Sequence, residues 1–178
     1  MSPFSALLRQ EFLPYGGLSD VQLSHLESHY ELLLRWNRKI NLTRITELQD
    51  AVRMHYCESL YAAREIPADI KTVADIGSGA GFPGIPVAVF RPEISVTLVE
   101  SDQRKAVFLR EASRNLSNVT VLAQRAEDLQ GQFDMLVSRA VRPEEVLTLK
   151  VSGRFLILGS EGEALPWGER RFLLRVGW

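Results

Sequence analysis

Cysteine occurs once in the 178-residue chain, as Cys57, and histidine only three times. A lone thiol closes no internal disulfide, and without Cys or His neighbours at ligand spacing it makes no evident metal site, so neither a disulfide framework nor a structural metal is expected. No stretch reaches the roughly 20 uninterrupted apolar residues of a membrane span, and the opening MSPFSALLRQEFLPYGG has neither a basic start nor a long apolar run. A cytoplasmic chain without membrane contact is the expectation. Charge of either sign is not in excess, since 21 basic and 22 acidic side chains leave a formal net charge of -1. Bulk charge therefore advertises no nucleic-acid binder, and such a role has to rest on local basic patches. The remainder, 46% hydrophobic and 24% charged, is the makeup of an ordinary globular domain with at most a small appendage.

Two textures divide the chain near Ala68 to Lys71. Residues 1–68 read as an N-terminal helical segment packing on a main domain of residues 69–178. Within the first part, Ser19 is an N-cap with Gln22 three residues on, and Leu26, Tyr30, Leu33 and Leu34 recur at helical spacing towards Trp36. A second helix is expected over Ala51 to Ala63, before Pro67 closes the region. Beyond Lys71, strand and helix alternate: Thr72 to Ile76, a helix from Gly84 to Phe90, SVTLVE, a helix in DQRKAVFLREASRNL, then NVTVLA, FDMLVS, a short helix in PEEVLTLK, and RFLIL. Such alternation predicts an α/β, doubly wound, mostly parallel sheet, because parallel neighbours need crossover connections. Only RFLLRV reads as a strand after Gly159, which predicts a shortened C-terminal edge.

The strongest motif is the loop Asp75-Ile76-Gly77-Ser78-Gly79-Ala80-Gly81, directly after the first strand. Alternate glycines let backbone approach a ligand where a Cβ would clash, and a ligand is expected at the carboxyl ends of the strands. Gly79 to Gly84 also matches the G-x-G-x-x-G dinucleotide fingerprint, which leaves a nicotinamide-dependent oxidoreductase as an alternative. Pro83 and Pro86, however, each lack the N–H that a pyrophosphate wants, and Asp75 puts a carboxylate before the loop. A cationic ligand without phosphate suits these residues better, and S-adenosylmethionine is one. Asp75, Gly77, Ser78 and Gly79 then belong to its site, Glu100 ends the second strand where it can bind ribose hydroxyls, and Ala126 and Glu127 fall where the adenine edge is expected.

Several segments together resemble the bacterial small-subunit (16S) ribosomal RNA guanine-7-methyltransferases, the glucose-inhibited division protein B family. They are Trp36-Asn37 with Asn41-Leu42-Thr43, His55 with Glu58-Ser59-Leu60, ADIGSGAGFPGIPVAVFRP, LVES with FLRE, and Ser138-Arg139-Ala140. The resemblance implies a Rossmann-like S-adenosylmethionine methyltransferase fold, methylation of a guanine in 16S ribosomal RNA or the small ribosomal subunit, and cofactor contacts at Gly77, Phe82, Ala126, Glu127 and Arg139. The Lys-Gly pair that usually follows the fifth strand in that family is replaced by Leu158-Gly159.

Nitrogen 7 of guanine has an in-plane lone pair and no proton to lose, so its methylation asks for alignment more than for a base. Arg139 is the catalytic candidate, able to donate to guanine oxygen 6 or to a phosphate while leaving nitrogen 7 free. RNA contact is assigned to Arg35, Arg38, Lys39, Arg44 and Arg53, with Trp36 and Tyr56 available for stacking or packing. His55 is given no catalytic role, and Asn41 is expected to cap a turn. Other substrates, a small molecule or a protein, and a noncatalytic RNA-binding relative remain as alternatives.

Overall fold

Strand β1 (Thr72–Ile76) has a parallel neighbour on each side, β2 (Ser95–Val99) and β4 (Met135–Arg139), which puts it in the middle of the sheet. The computed structural model describes residues 1–178. Strand β3 (Val119–Leu122) pairs with β2 and strand β5 (Phe155–Gly159) with β4, both in parallel. Strand β7 (Phe172–Val176) then runs antiparallel to β5, and the two-residue β6 (Glu163–Ala164) pairs with β7, for an order β3-β2-β1-β4-β5-β7-β6. Crossovers are helices α5 (Gly84–Phe90), α6 (Gln103–Ala112) and α7 (Pro143–Leu147), with a 3-10 turn at Ala126–Asp128 between β3 and β4.

Period-2 alternation divides the apolar side chains between the two faces. Val73, Val96, Leu98, Val137 and Leu156 join one cluster with the N-terminal helices and α5. Ala74, Ile76, Val99, Leu136 and Ile157 join a smaller one with Val146 of α7. The first cluster is continuous from Phe4 to Leu173, so residues 1–68 share a core with the sheet.

Three continuous helical stretches build that N-terminal part. Helix α1 (Pro3–Phe12) begins at Ser2, whose side chain accepts from the Ser5 N–H, and α2 (Asp20–Asn37) begins in the expected capping box of Ser19 and Gln22. Helix α3 (Leu48–Ala51) continues through a π-helical stretch, Val52–Cys57, into α4 (Glu58–Glu65). Ile66 is extended, as the residue before a proline prefers, and helix and chain part there. The helix expected over Ala51 to Ala63 is thus longer at both ends. The α1 helix and the β6 strand lie outside the elements expected from the sequence, so that the edge beyond β5 holds two strands where one was expected.

The last strand is fastened to α4 by charge. Glu58, buried, is held by the guanidinium of Arg171 through both oxygens, and Arg175 in β7 reaches Glu65 at 2.8 Å and Glu163 at 2.6 Å. No helix of the chain is long and apolar enough to cross a membrane.

Candidate active site

The strand order reverses between β1 and β4, and the chain leaving β1 at this switch point is the glycine loop. Its conformation demands glycine where it turns towards α5. At Gly81, φ is +91° and a Cβ would stand 2.6 Å from Ile85 Cδ1; at Gly84 one would stand 2.6 Å from Asp75 Oδ2.

Backbone donors in the loop are largely spent within the protein. Gly77 and Ser78 N–H donate to the Val99 carbonyl, Gly79 N–H to Glu100 Oε2, Gly81 N–H to Ser78 and Ile85 N–H to Gly81. Gly84 N–H donates to Asp75 Oδ2, and Pro83 and Pro86 have no N–H to give. A pyrophosphate at the start of α5 would therefore find no row of free donors, which removes the physical basis of the dinucleotide reading.

A cleft of about 410 Å³ opens beside the loop, walled by Gly77, Ser78, Gly79, Phe82, Glu100 and Arg139 among others. Glu100 Oε1 accepts from Asp102 N–H and Oε2 from Gly79 N–H, so each oxygen retains a second acceptor position for a ligand hydroxyl. The cleft is completed by Leu42, Thr43, Arg44 and Ile45 from the segment before α3, by Lys105 of α6, and by Val141 beyond β4.

Arg139 ends β4 with its guanidinium 5.8 Å above the Phe82 ring, and its Nη1 is buried without a hydrogen-bond partner. Burial lowers its pKa to about 10, which leaves it charged at neutral pH. The next residue, Ala140, is held at φ 61°, a left-handed conformation that costs a non-glycine residue energy and turns the chain sharply off the strand. His55 stacks on the other side chain of this pair, its ring 4.5 Å from that of Phe82, and its Nε2 lies 2.8 Å from Thr43 Oγ1. Burial, helped by Arg139 and Arg171, pushes the His55 pKa down to about 2. The imidazole is neutral at any physiological pH and is not poised as a base.

Below the loop lies a contact that sequence reasoning missed. His29 of α2, buried, has Nε2 2.9 Å from the Ala80 carbonyl and Nδ1 3.0 Å from the Tyr56 hydroxyl. A carbonyl can only accept, so Nε2 carries the proton and Tyr56 donates to Nδ1. Burial lowers the His29 pKa to about 4, consistent with that neutral tautomer. The N-terminal helices thus hold the floor of the glycine loop.

Other expected residues fall elsewhere. Asp75, expected beside the ligand, is fully buried under the loop because it shares the sheet face of Val73, against α5; its Oδ2 holds Gly84 and its Oδ1 has no partner. Ala126 and Glu127 lie on the 3-10 turn after β3, outside the wall of this cleft, with Glu127 exposed and 3.5 Å from Arg125. The basic residues do not form one strip. Arg35, Arg38 and Lys39 border one hollow with Trp36, Arg44 is on the cleft, and Arg53 pairs with Glu11 at 2.8 Å by another hollow. Trp36 donates to Glu111 and packs on Phe108, and Tyr56 is core, so both rings serve packing. The turn expected of Asn41 is made by Asn37, whose Oδ1 accepts from Leu42 and Thr43 N–H. Cys57 is buried and its pKa is raised by that burial, which removes it as a nucleophile.

A glycine loop at the switch point, a carboxylate directly after β2 and an antiparallel β7 beyond β5 define a Rossmann-like fold of the S-adenosylmethionine-dependent methyltransferase class. A SAM-dependent methyltransferase from Aquifex aeolicus shares it with a TM-score of 0.53 at 19% identity, over 74% of this chain and 79% of that one. Coclaurine N-methyltransferase shares it with a TM-score of 0.51 at 19% identity, over 88% of this chain and 58% of that one.

The chain belongs to the rRNA small subunit methyltransferase G family, whose model matches residues 22–163. It is 40% identical over 144 residues to ribosomal RNA small subunit methyltransferase G of Mycoplasma capricolum, and 36% identical over 171 residues to that of Streptococcus pneumoniae. These matches cover 75% and 87% of this chain, and 62% and 71% of the relatives. The protein of Desulforamulus reducens is 40% identical over 141 residues, 74% of this chain and 58% of its own. The chain thus spans less than two thirds of the length of the Mycoplasma and Desulforamulus proteins.

Proposed function

We propose that the chain is an S-adenosylmethionine-dependent methyltransferase acting on nitrogen 7 of a guanine in 16S ribosomal RNA, as naked RNA or in the small subunit, in the cytoplasm. The observation that carries this reading is the cleft itself, where a loop with most of its N–H groups spent, a carboxylate with free acceptor positions and a half-buried arginine outside any ion pair line one space. Membership in the family supports the substrate class.

The donor set fits S-adenosylmethionine, which has hydroxyls and a cationic sulfonium but no phosphate. Glu100 accepts the ribose hydroxyls, Gly77 and Gly79 leave room for the ligand against the backbone, and Phe82 gives an apolar wall. When bound, the cofactor supplies an electrophilic methyl group. Arg139 donates to oxygen 6 or a neighbouring phosphate and so fixes the base plane, leaving the nitrogen 7 lone pair free. No residue has to remove a proton, in keeping with the neutral His55 and the buried Cys57. Nitrogen 7 lies on the edge that a deep A-form major groove hides, so the target base is unpaired or splayed out.

Tritiated methyl transfer onto small ribosomal subunits and onto deproteinised 16S RNA, with identification of the product nucleoside, tests this directly. Label in 7-methylguanosine is expected. Cofactor binding without label in either RNA would sink it in favour of a different acceptor.

A further inference from the structure

A second hollow, of about 260 Å³, adjoins the cofactor cleft on the side of β5 and β7, and the two share Arg139 and Ala140. Its charged lining is Arg139, Arg170, Arg171 and Glu58. Glu58 is taken up by Arg171, so that pair is neutral. Arg170 has no carboxylate partner, and Arg139 keeps a buried Nη1 unpaired. Two guanidiniums outside any ion pair therefore line a space with no free carboxylate on its wall. Leu165 and Phe172 close the remainder with apolar surface.

The position of Arg170 is fixed by the segment between β5 and β7. The chain turns at Arg170 with φ 57°, directly before Arg171 anchors to α4 and Phe172 starts β7. Between Gly159 and β7 there is only the two-residue β6, so the segment lies across the carboxyl end of β5 and brings its two arginines beside Arg139.

From this arrangement, and resting on the functional reading above, we infer that the hollow is a seat for a backbone phosphate of the substrate RNA strand, next to the methylated nucleotide. Arg139 and Arg170 grip the phosphate from two sides, and Leu165 and Phe172 pack against its sugar. Guanidinium forks match phosphate oxygens in pairs, and a phosphodiester with part of its sugar is of a size for the hollow. Because Arg139 touches both spaces, a strand held here delivers its neighbouring base to the cleft in a fixed register.

The test is binding of a fluorescein-labelled single-stranded RNA, by anisotropy over a series of salt concentrations. Arg170→Ala is expected to lower affinity roughly tenfold at low salt and to flatten the plot of log affinity against log salt by about 0.7, the share of one phosphate on a single strand. Arg170→Lys keeps the slope, as the charge remains. Ser160→Leu removes no charge and puts a larger apolar side chain on the lining of the hollow. It is expected to weaken RNA binding with the slope also reduced, whereas a diffuse electrostatic role of Arg170 would leave this variant like wild type. Isotherms of Arg170→Ala that superpose on wild type, a normal Ser160→Leu, or wild type that binds no RNA would each overturn the seat. S-adenosylhomocysteine titrated separately into each protein reads the cofactor half of the functional reading, so the two failures are told apart.

Discussion

The Asp75 carboxylate at the end of β1 accepts the N–H of Gly84, the first residue of α5, at 3.0 Å. One oxygen of a fully buried acid thus closes the glycine loop, while the other faces no donor. Desolvation raises the Asp75 pKa from 3.8 to about 7, against the opposing pull of the Gly84 N–H.

That shift links stability to pH. The acid binds its proton more tightly folded than unfolded, so its contribution is complete below about pH 4 and is lost as pH rises towards 7. The difference amounts to at most ~4 kcal/mol. Asp75→Asn keeps an acceptor for Gly84 but cannot titrate. Melting temperatures of both proteins from pH 4.5 to 8 are expected to diverge steadily, wild type losing ground as the pH rises. Parallel curves would show that Asp75 stays ionised.

His29 gives a second prediction, because two buried groups depend on it. His29→Ala strands the Ala80 carbonyl and the Tyr56 hydroxyl and opens a cavity beside Phe82, for a cost of about 2–5 kcal/mol. Tyr56→Phe removes one donor and leaves the loop contact, for about 0.5–1.5 kcal/mol. Denaturant unfolding measures both. Equal losses would mean that the His29–Ala80 contact contributes nothing of its own.

At Gly77 the constraint comes from the cleft side. Its φ is +68° and a Cβ would lie 2.8 Å from Val141 Cγ2, on the wall where the ligand is proposed to sit. Gly77→Val is expected to reduce S-adenosylhomocysteine affinity by more than ~10-fold in calorimetry, a loss of over ~1.4 kcal/mol. Normal binding by a folded variant would move the ligand away from this loop.

Much of this was legible in the residues. The bounds of β1 and α5 follow from an apolar run and two prolines around a glycine loop, and the capping box at Ser19 is a local signal that no tertiary contact overrides. The α1 helix had a signal too, Ser2 before Pro3, since proline suits the first turn of a helix. The burial of Asp75 was also within reach: period-2 alternation puts it with Val73, on the face that α5 covers. The His29 contact was not, because a histidine on a helix face carries no mark of the loop that packs on it. Nor was the pairing of Arg171 with Glu58, which depends on how a short tail folds back across 113 residues of sequence.

Arg139 carries the last prediction. Its Nη1 is buried and unpartnered, an expensive state for a guanidinium unless something else completes it, and it stands where the cofactor cleft meets the arginine-lined hollow. If the guanidinium holds the substrate from the wall of these two spaces, Arg139→Ala lowers methyl transfer far more than cofactor affinity, by about 1–3 kcal/mol or roughly 5- to 150-fold in single-turnover rate. Arg139→Lys recovers only part, since a point charge cannot reproduce a planar fork. The variant is not expected to unfold, because the side chain makes no ion pair and its principal neighbour is the Phe82 ring. Calorimetry with S-adenosylhomocysteine and single-turnover transfer on the same preparation separate the two effects. Equal losses in both would make Arg139 a cofactor ligand, and no loss in either would leave its buried charge without a role in the reaction.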